Sequence, residues 1–324
     1  MASSQHDPLT LRPLGRTGLS VPSLCIGCAA LGSMPEAFTY TVSEEQARIT
    51  LEALLEGPVP FLDTAAAYGD GESERRLGQA LRARGGLPPG FVLSSKADRD
   101  LRTGDFSGAQ IRRSLERSLR LLGLDRLQLC YLHDPEHTTF AASMAPGGPV
   151  DTLLRCKEEG LIDHVGIAGG PIPMMVRYVE TGLFEAAITH NRYTLLNVAA
   201  EPLFAACARH DVALLNAAPY GGGILAKDPS AFARYAYREA PPEILERAVR
   251  LSAICARHGV PLAAAALRFS LRDPRVVSTI VGISRPERLA QTLDFATRPI
   301  PDALWDELAE VTPATDDPEG SSQG

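Results

Sequence analysis

Between Phe61 and Leu81 the chain reads FLDTAAAYGDGESERRLGQAL. Asp63 stands at the end of a short apolar run, and Tyr68 follows five residues later, just before the turn Gly69-Asp70-Gly71. Two further apolar runs end in the same manner: Lys96 closes VLSSKA and His133 closes LCYLHD. A carboxylate, a phenol, an ammonium and an imidazole can donate, accept and relay protons. A lysine in apolar surroundings can also attack a carbonyl. The elements that carry these four residues decide whether they act together.

Short runs rich in Val, Ile and Leu alternate with stretches of helical period along the chain. The runs predict strands over 22–27, 60–65, 91–97, 127–133, 163–169, 186–193, 212–219 and 276–283. Helices are predicted near 43–56, 72–83, 108–122, 147–159, 172–181, 200–209, 243–258 and 286–296, with 261–271 and 302–310 in addition. Ser43 before Glu44, Glu45 and Gln46 is a helix-start signal. Over 108–122 the residues Ile111, Leu115, Ser118, Leu119 and Leu122 share one stripe. Eight strand–helix units predict a (β/α)8 TIM barrel over residues 1–312 as one domain. A doubly wound sheet lacks its glycine fingerprint here, since Cys-Ala-Ala-Leu-Gly follows Gly27. Gly15 and Gly18 suggest an N-terminal hairpin across the barrel floor. Residues 313–324, PATDDPEGSSQG, read as a disordered tail. Barrel enzymes work at the C-terminal ends of their strands, which is where Asp63, Lys96, His133 and the loop carrying Tyr68 fall.

Composition narrows the partners. Hydrophobic residues make up 45% and charged residues 22% of 324, as in soluble enzymes. A formal net charge of −7 disfavours nucleic acid and anionic membranes. Met1 to Pro8 is polar and short, so no secretory leader is expected, and no apolar run reaches about 18 residues, so no membrane span is. Six cysteines in so long a chain give no dense disulfide scaffold, so a cytoplasmic location is expected. A monomer or weak homo-oligomer acting on a small molecule is the expected form. Cys25 and Cys28 have C-x-x-C spacing, but no second pair of ligands follows, and residues three apart on a strand face opposite ways. Pro135 breaks the helical geometry that would join His133 and His137. No metal is expected at either place.

The segments LGRTGLSVPSLCIG, FLDTAAAYGDGESERRLGQAL, VLSSK, SLERSLRLLGLDRLQLCYLHDPE, GLIDHVGIAG and STIVGISRPERLAQTL resemble the aldo-keto reductases, in that family's order and from about Leu11 to Leu308. The family's catalytic tetrad falls on Asp63, Tyr68, Lys96 and His133. The resemblance implies hydride transfer between a nicotinamide and a carbonyl carbon. Tyr68 would be the acid or base, its phenol lowered by Lys96. Asp63 would hold Lys96, and His133 would donate to the substrate oxygen.

The implied cofactor, NADP or NAD, would meet Gly27, Asp63, Ala168, Gly169, His190, Asn191, Tyr220, Gly221, Gly222, Gly223, Leu225, Ser284, Arg285, Arg288, Gln291 and Thr292. Several of these depart from the family's commonest pattern. Ala168-Gly169 stands for Ser-Asn, His190 for a glutamine, Ala217 for a stacking tyrosine and Gly282 for a lysine. Tyr220 is a candidate replacement contact, and the glycines at 221–223 suit either a loop hinge or close approach to a pyrophosphate. Arg285 and Arg288 could meet a 2′-phosphate.

HDPE and NRYTLLN look most like the branch containing D-threo-aldose 1-dehydrogenase, L-fucose dehydrogenase and pyridoxal 4-dehydrogenase. That branch implies oxidation of a sugar hemiacetal to a lactone. Aromatic residues are only 6% of the chain, which suits a polar sugar. A general aldehyde or ketone reductase is the alternative. From other classes come a Schiff-base aldolase or lyase on Lys96 and a non-catalytic nicotinamide-binding subunit.

Overall fold

The computed structural model describes residues 7–319. Eight parallel strands close a barrel: β1 Leu24–Gly27, β2 Phe61–Asp63, β3 Val92–Ala97, β4 Leu127–His133, β5 Ile162–Ala168, β6 Ala186–His190, β7 Ala213–Ala217 and β8 Val276–Gly282. Each pairs with the next in sequence, and β8 closes on β1 through Ile280 opposite Cys25. Around them lie α1 Glu44–Glu56, α2 Glu72–Arg84, α3 Gly108–Leu122, α4 Pro149–Glu158, α5 Ile172–Glu180, α6 Glu201–His210, α7 Pro242–Arg257, α8 Leu262–Leu271, α9 Pro286–Thr297 and α10 Asp302–Ala309. Among the described residues no helix is long and apolar enough to cross a membrane.

Period-two alternation sorts each strand into an inner and an outer face. Cys25, Phe61, Val92, Leu129, Tyr131, Ile188, Leu215 and Ile280 pack together inside the barrel. On β3, Ser94 and Lys96 share that inner side, while Ser95 turns outward and donates to Glu74 of α2 at 2.5 Å. The helices follow their expected signals. Ser107 caps α3 by accepting the Gln110 N–H, Gly123 ends it in the left-handed region, and Ile111, Leu115, Ser118, Leu119 and Leu122 are buried. Leu11–Pro13 and Ser20–Pro22 pair antiparallel as the expected hairpin, and Leu14 from its turn is fully buried in the inner core.

Most element ends fall within two residues of the sequence reading, and two places depart further. The sixth strand stops at His190, because Asn191 takes a φ of 58° that no strand tolerates. The tail is not loose over residues 313–319. Val198 donates to the Ala314 carbonyl, Asn197 donates to the Asp316 carbonyl at 2.9 Å, and Arg192 donates to Asp317 at 2.7 Å. Arg192 is 1% exposed, so burying its guanidinium requires these carboxylates. Composition could not show that requirement. Residues 320–324 lie outside the described residues.

Cys25 faces the barrel interior and Cys28 the helical layer, as their spacing implies. Burial pushes the Cys28 thiol up to about 12. These are packing residues without thiolate character.

Candidate active site

The barrel gathers Asp63, Tyr68, Lys96 and His133 at one mouth. Lys96 Nζ donates to Asp63 Oδ2 at 2.5 Å, to the Thr64 carbonyl at 2.8 Å and to the Tyr68 hydroxyl at 3.1 Å. Ser94 donates to the other Asp63 oxygen at 2.8 Å, so the carboxylate is held on both sides. Both Lys96 and Asp63 are almost fully buried. Burial alone would push the Lys96 ammonium down, but Asp63 and Tyr68 more than reverse this, and it stays above the usual lysine range. An ammonium so held is a poor nucleophile, which weighs against carbonyl attack by Lys96.

Tyr68 hangs over the mouth because its loop crosses the one after β1. A Cβ on Gly69 would lie 2.1 Å from the Gly32 carbonyl oxygen, and one on Gly32 would lie 2.7 Å from that of Tyr68. Only glycine permits the crossing. The Tyr68 phenol corrects a sequence expectation. Burial dominates and pushes it up to about 12, while Lys96 opposes the shift without cancelling it. Charge pairing could be inferred from the residue types, whereas the depth of burial could not.

His133 meets Tyr68 edge to face, with ring centroids 5.9 Å apart. Its Nδ1 stands 2.8 Å and 3.0 Å from the two oxygens of Asp98. An ionised carboxylate only accepts, so Nδ1 carries the proton, and Nε2 is the nitrogen on the Asp134 side, 3.5 Å from its carboxylate. Burial would lower the imidazolium, but Asp134 and Asp98 raise it above the ordinary histidine value. Asp98 does not stand out in the sequence: it lies past the strand in the polar stretch ADRD.

These side chains open into a cavity of about 870 Å³. Of the expected cofactor residues, Gly27, Asp63, Ala168, Gly169, His190, Tyr220, Gly222, Gly223, Ser284, Arg285, Arg288, Gln291 and Thr292 line it. Three do not. Leu225 is fully buried in a separate apolar cluster, and Gly221 is buried with its open side against the Tyr235 ring. Asn191 is also fully buried, and its amide donates to Glu319 at 3.3 Å. The run 221–223 therefore serves partly to pack its loop against the segment that follows. A Cβ at Gly222 would come 2.9 Å from the backbone nitrogens of Ala236 and Tyr237.

The lining is also more aromatic than the composition suggested. Phe38 and Tyr40 from the loop after β1 face Tyr237 and Phe232 from the loop after β7. Phe38 and Tyr237 meet edge to face at 5.9 Å. An average over the chain hides a local cluster. Glu319 joins the lining beside His190, 3.0 Å from its Nε2. Burial would push this carboxyl up, but its bond to His190 leads the effects that bring it down to about 2.

The far end of the cavity differs in character. Lys227, Arg285 and Arg288 face it near the start of α9, and Gln46 fixes that loop by donating to the Ser284 carbonyl at 2.7 Å. Three cations beside a helix N-terminus fit the phosphates of a dinucleotide. The residues expected at the nicotinamide, Ala168 and Gly169, with Ala217 beside them, offer little beyond backbone.

Comparisons with known proteins give the family of the fold. The aldo/keto reductase family model matches residues 23–313. D-threo-aldose 1-dehydrogenase from a Pseudomonas species is 35% identical over 91% of this chain and 95% of its own. Pyridoxal 4-dehydrogenase from Microbacterium luteolum is 30% identical over 92% and 96%. An aldo-keto reductase from Bacillus halodurans, solved in its holo form, superposes with a TM-score of 0.75 at 23% identity, covering 97% of this chain and 98% of that one. The chain, a closed barrel, belongs to the aldo/keto reductase family of NAD(P)-dependent oxidoreductases, and its cofactor is accordingly a nicotinamide, NADP or NAD.

Proposed function

We propose that the chain oxidises the hemiacetal carbon of an aldose to a lactone, with Asp63, Tyr68, Lys96 and His133 as its catalytic set. The observation that carries this reading is the unbroken chain of contacts from Asp63 through Lys96 to the Tyr68 hydroxyl, at 2.5 Å and 3.1 Å, facing a cavity of about 870 Å³. A nicotinamide bound in this cavity would supply the acceptor for the hydride of the hemiacetal carbon, and the hydroxyl proton would pass to the protein. Tyr68 receives that proton as the phenolate, which the Lys96 ammonium stabilises. Asp63 keeps Lys96 charged and aimed. His133 holds the substrate oxygen through Nε2. In reduction the same groups act in reverse, with Tyr68 giving its proton to the carbonyl oxygen.

The name of one relative, D-threo-aldose 1-dehydrogenase, supports the sugar, and both relatives are named as dehydrogenases. The cavity supports it as well: Asp134, His190 and Glu319 offer hydroxyl partners, and Phe38, Tyr40 and Tyr237 offer flat faces for ring C–H groups. A phenol raised to about 12 is neutral near pH 7, which favours a second reading, reduction of small aldehydes or ketones. Nicotinamide absorbance with NAD and NADP, in both directions against a panel of aldoses and aldehydes, separates the two. Oxidation of an aldose that accelerates from about pH 7 to pH 10 is the expected result. Turnover confined to aldehyde reduction would replace the first reading with the second.

A further inference from the structure

We propose that Asp98 is a positioning residue that sets Tyr68 and His133 together, with a single carboxylate anchoring both the loop that delivers the phenol and the ring that faces it. The inference rests on the assignment of proton transfer to Tyr68 and His133. Asp98 is 2% exposed, two residues beyond Lys96. Its Oδ2 accepts the Ala67 N–H at 2.9 Å, fixing the backbone immediately before Tyr68. Both of its oxygens hold His133 Nδ1. Asp98 is itself secured from α3, for its own N–H donates to Ser114 Oγ at 2.9 Å and its carbonyl accepts from Gln110 at 3.4 Å. The carboxylate thus transmits the position of α3 to both groups that would touch the substrate oxygen.

It also sets what His133 can do. With Nδ1 committed, a charged His133 presents an N–H donor at Nε2, and a neutral one presents a lone pair there. Asp98, Asp134 with an oxygen 3.5 Å from Nε2, Lys96 from β3 and Tyr68 face the ring, and Glu136 and His137 act on it from the turn that follows. Asp134 in turn faces His190, His137 and Arg99. Of these carboxylates, Asp98 alone also holds the Tyr68 loop.

Asp98→Asn keeps the shape and removes the charge. The His133 imidazole, identified by the resonance lost in His133→Gln, is followed by nitrogen-15 NMR against pH. Its titration midpoint should fall by about one unit or more. The alkaline limb of kcat/KM for reduction, where the charged donor is lost, should move to lower pH by the same amount. Kcat should fall by about 10–100-fold, while cofactor affinity changes less than about threefold. Asp98→Glu keeps the charge but moves it by one methylene, so the midpoint should stay high while kcat still falls. An unmoved midpoint in Asp98→Asn overturns the proposal. So does a midpoint that moves without the pH limb, or an Asp98→Glu variant with full kcat. Wild-type protein that transfers no hydride in either direction would instead remove the functional reading beneath it, and the NMR titration would still judge the Asp98–His133 coupling.

Discussion

The two sides of the barrel mouth are built in opposite ways. On the side of β2, β3 and β4, the chemistry stands at strand ends and in the turns beside them, and every group is tied by short hydrogen bonds to its neighbour. On the side of β5, β6 and β7, the strand ends offer Ala168, His190 and Ala217. The polar groups there come instead from the chain's far end, where Asp317 and Glu319 meet Arg192 and His190. The first side is fixed by the sheet, which suits a reaction needing one geometry. The second is assembled by contacts across 125 residues of chain, which suits selection of a substrate.

The contrast predicts where substitutions act. Tyr68→Phe removes the proton carrier and keeps the ring, so turnover should fall by about 10²–10⁴ with cofactor binding retained. Lys96→Met should do comparable harm and move the pH–rate profile, because Tyr68 loses the cation that opposes its raised pKa. Steady-state kinetics across pH tests both, and a Lys96→Met profile that coincides with wild type would break the coupling.

On the second side, Arg192→Met breaks a buried ion pair whose partners are partly exposed. The cost should be roughly 2–3 kcal/mol of stability, discounted for that exposure. The released segment should exchange its amides faster over residues 313–319. The aldose KM should rise more than kcat falls. Equal losses in KM and kcat would mean that the two sides are not separable.

Behind the first side, Glu74 is fully buried, and burial raises its carboxyl to about 7 from 4.5. A raised acid is most costly when ionised, so its penalty is absent below about pH 4.5, grows as pH rises towards 7, and is complete above that. Glu74→Gln should therefore add on the order of 3 kcal/mol of stability at pH 8 and almost none at pH 4. Denaturant unfolding at the two pH values measures it, and an equal gain at both would refute the assignment.

The smallest effect concerns the cations at the far end. Arg288→Ala should weaken NADP by about 1.5–3 kcal/mol and NAD by less than about threefold, as read by titration calorimetry. Lys227 faces the same space and is pushed down by burial and then by Arg288, so Lys227→Met should also cost NADP more than NAD. Equal weakening of both cofactors would place these cations on the pyrophosphate or the loop.

The tetrad is legible in the sequence because a charged side chain that closes an apolar strand must face the barrel mouth or find a partner, and the barrel pattern sets three such strands side by side. Asp98 is not legible, since an acid in ADRDLRTGD reads as solvated until His133, 35 residues on, is seen against it. The docked tail is hidden for the same reason: PATDDPE is a solvated composition, and only the burial of Arg192 gives its acids a partner. Leu225 and Gly221 sit in a glycine loop whose position suggests cofactor contact. The turn from Tyr220 instead sends both into the packing beneath it.

The most direct test is to count lactone formed against nicotinamide reduced when an aldose is oxidised by wild type and by Tyr68→Phe. The proposed function predicts one reduced nicotinamide per lactone in wild type, and a rate lower by about 10² or more in the variant at unchanged cofactor affinity. Lactone formation by Tyr68→Phe at the wild-type rate, or borohydride trapping of the sugar on Lys96, would contradict it.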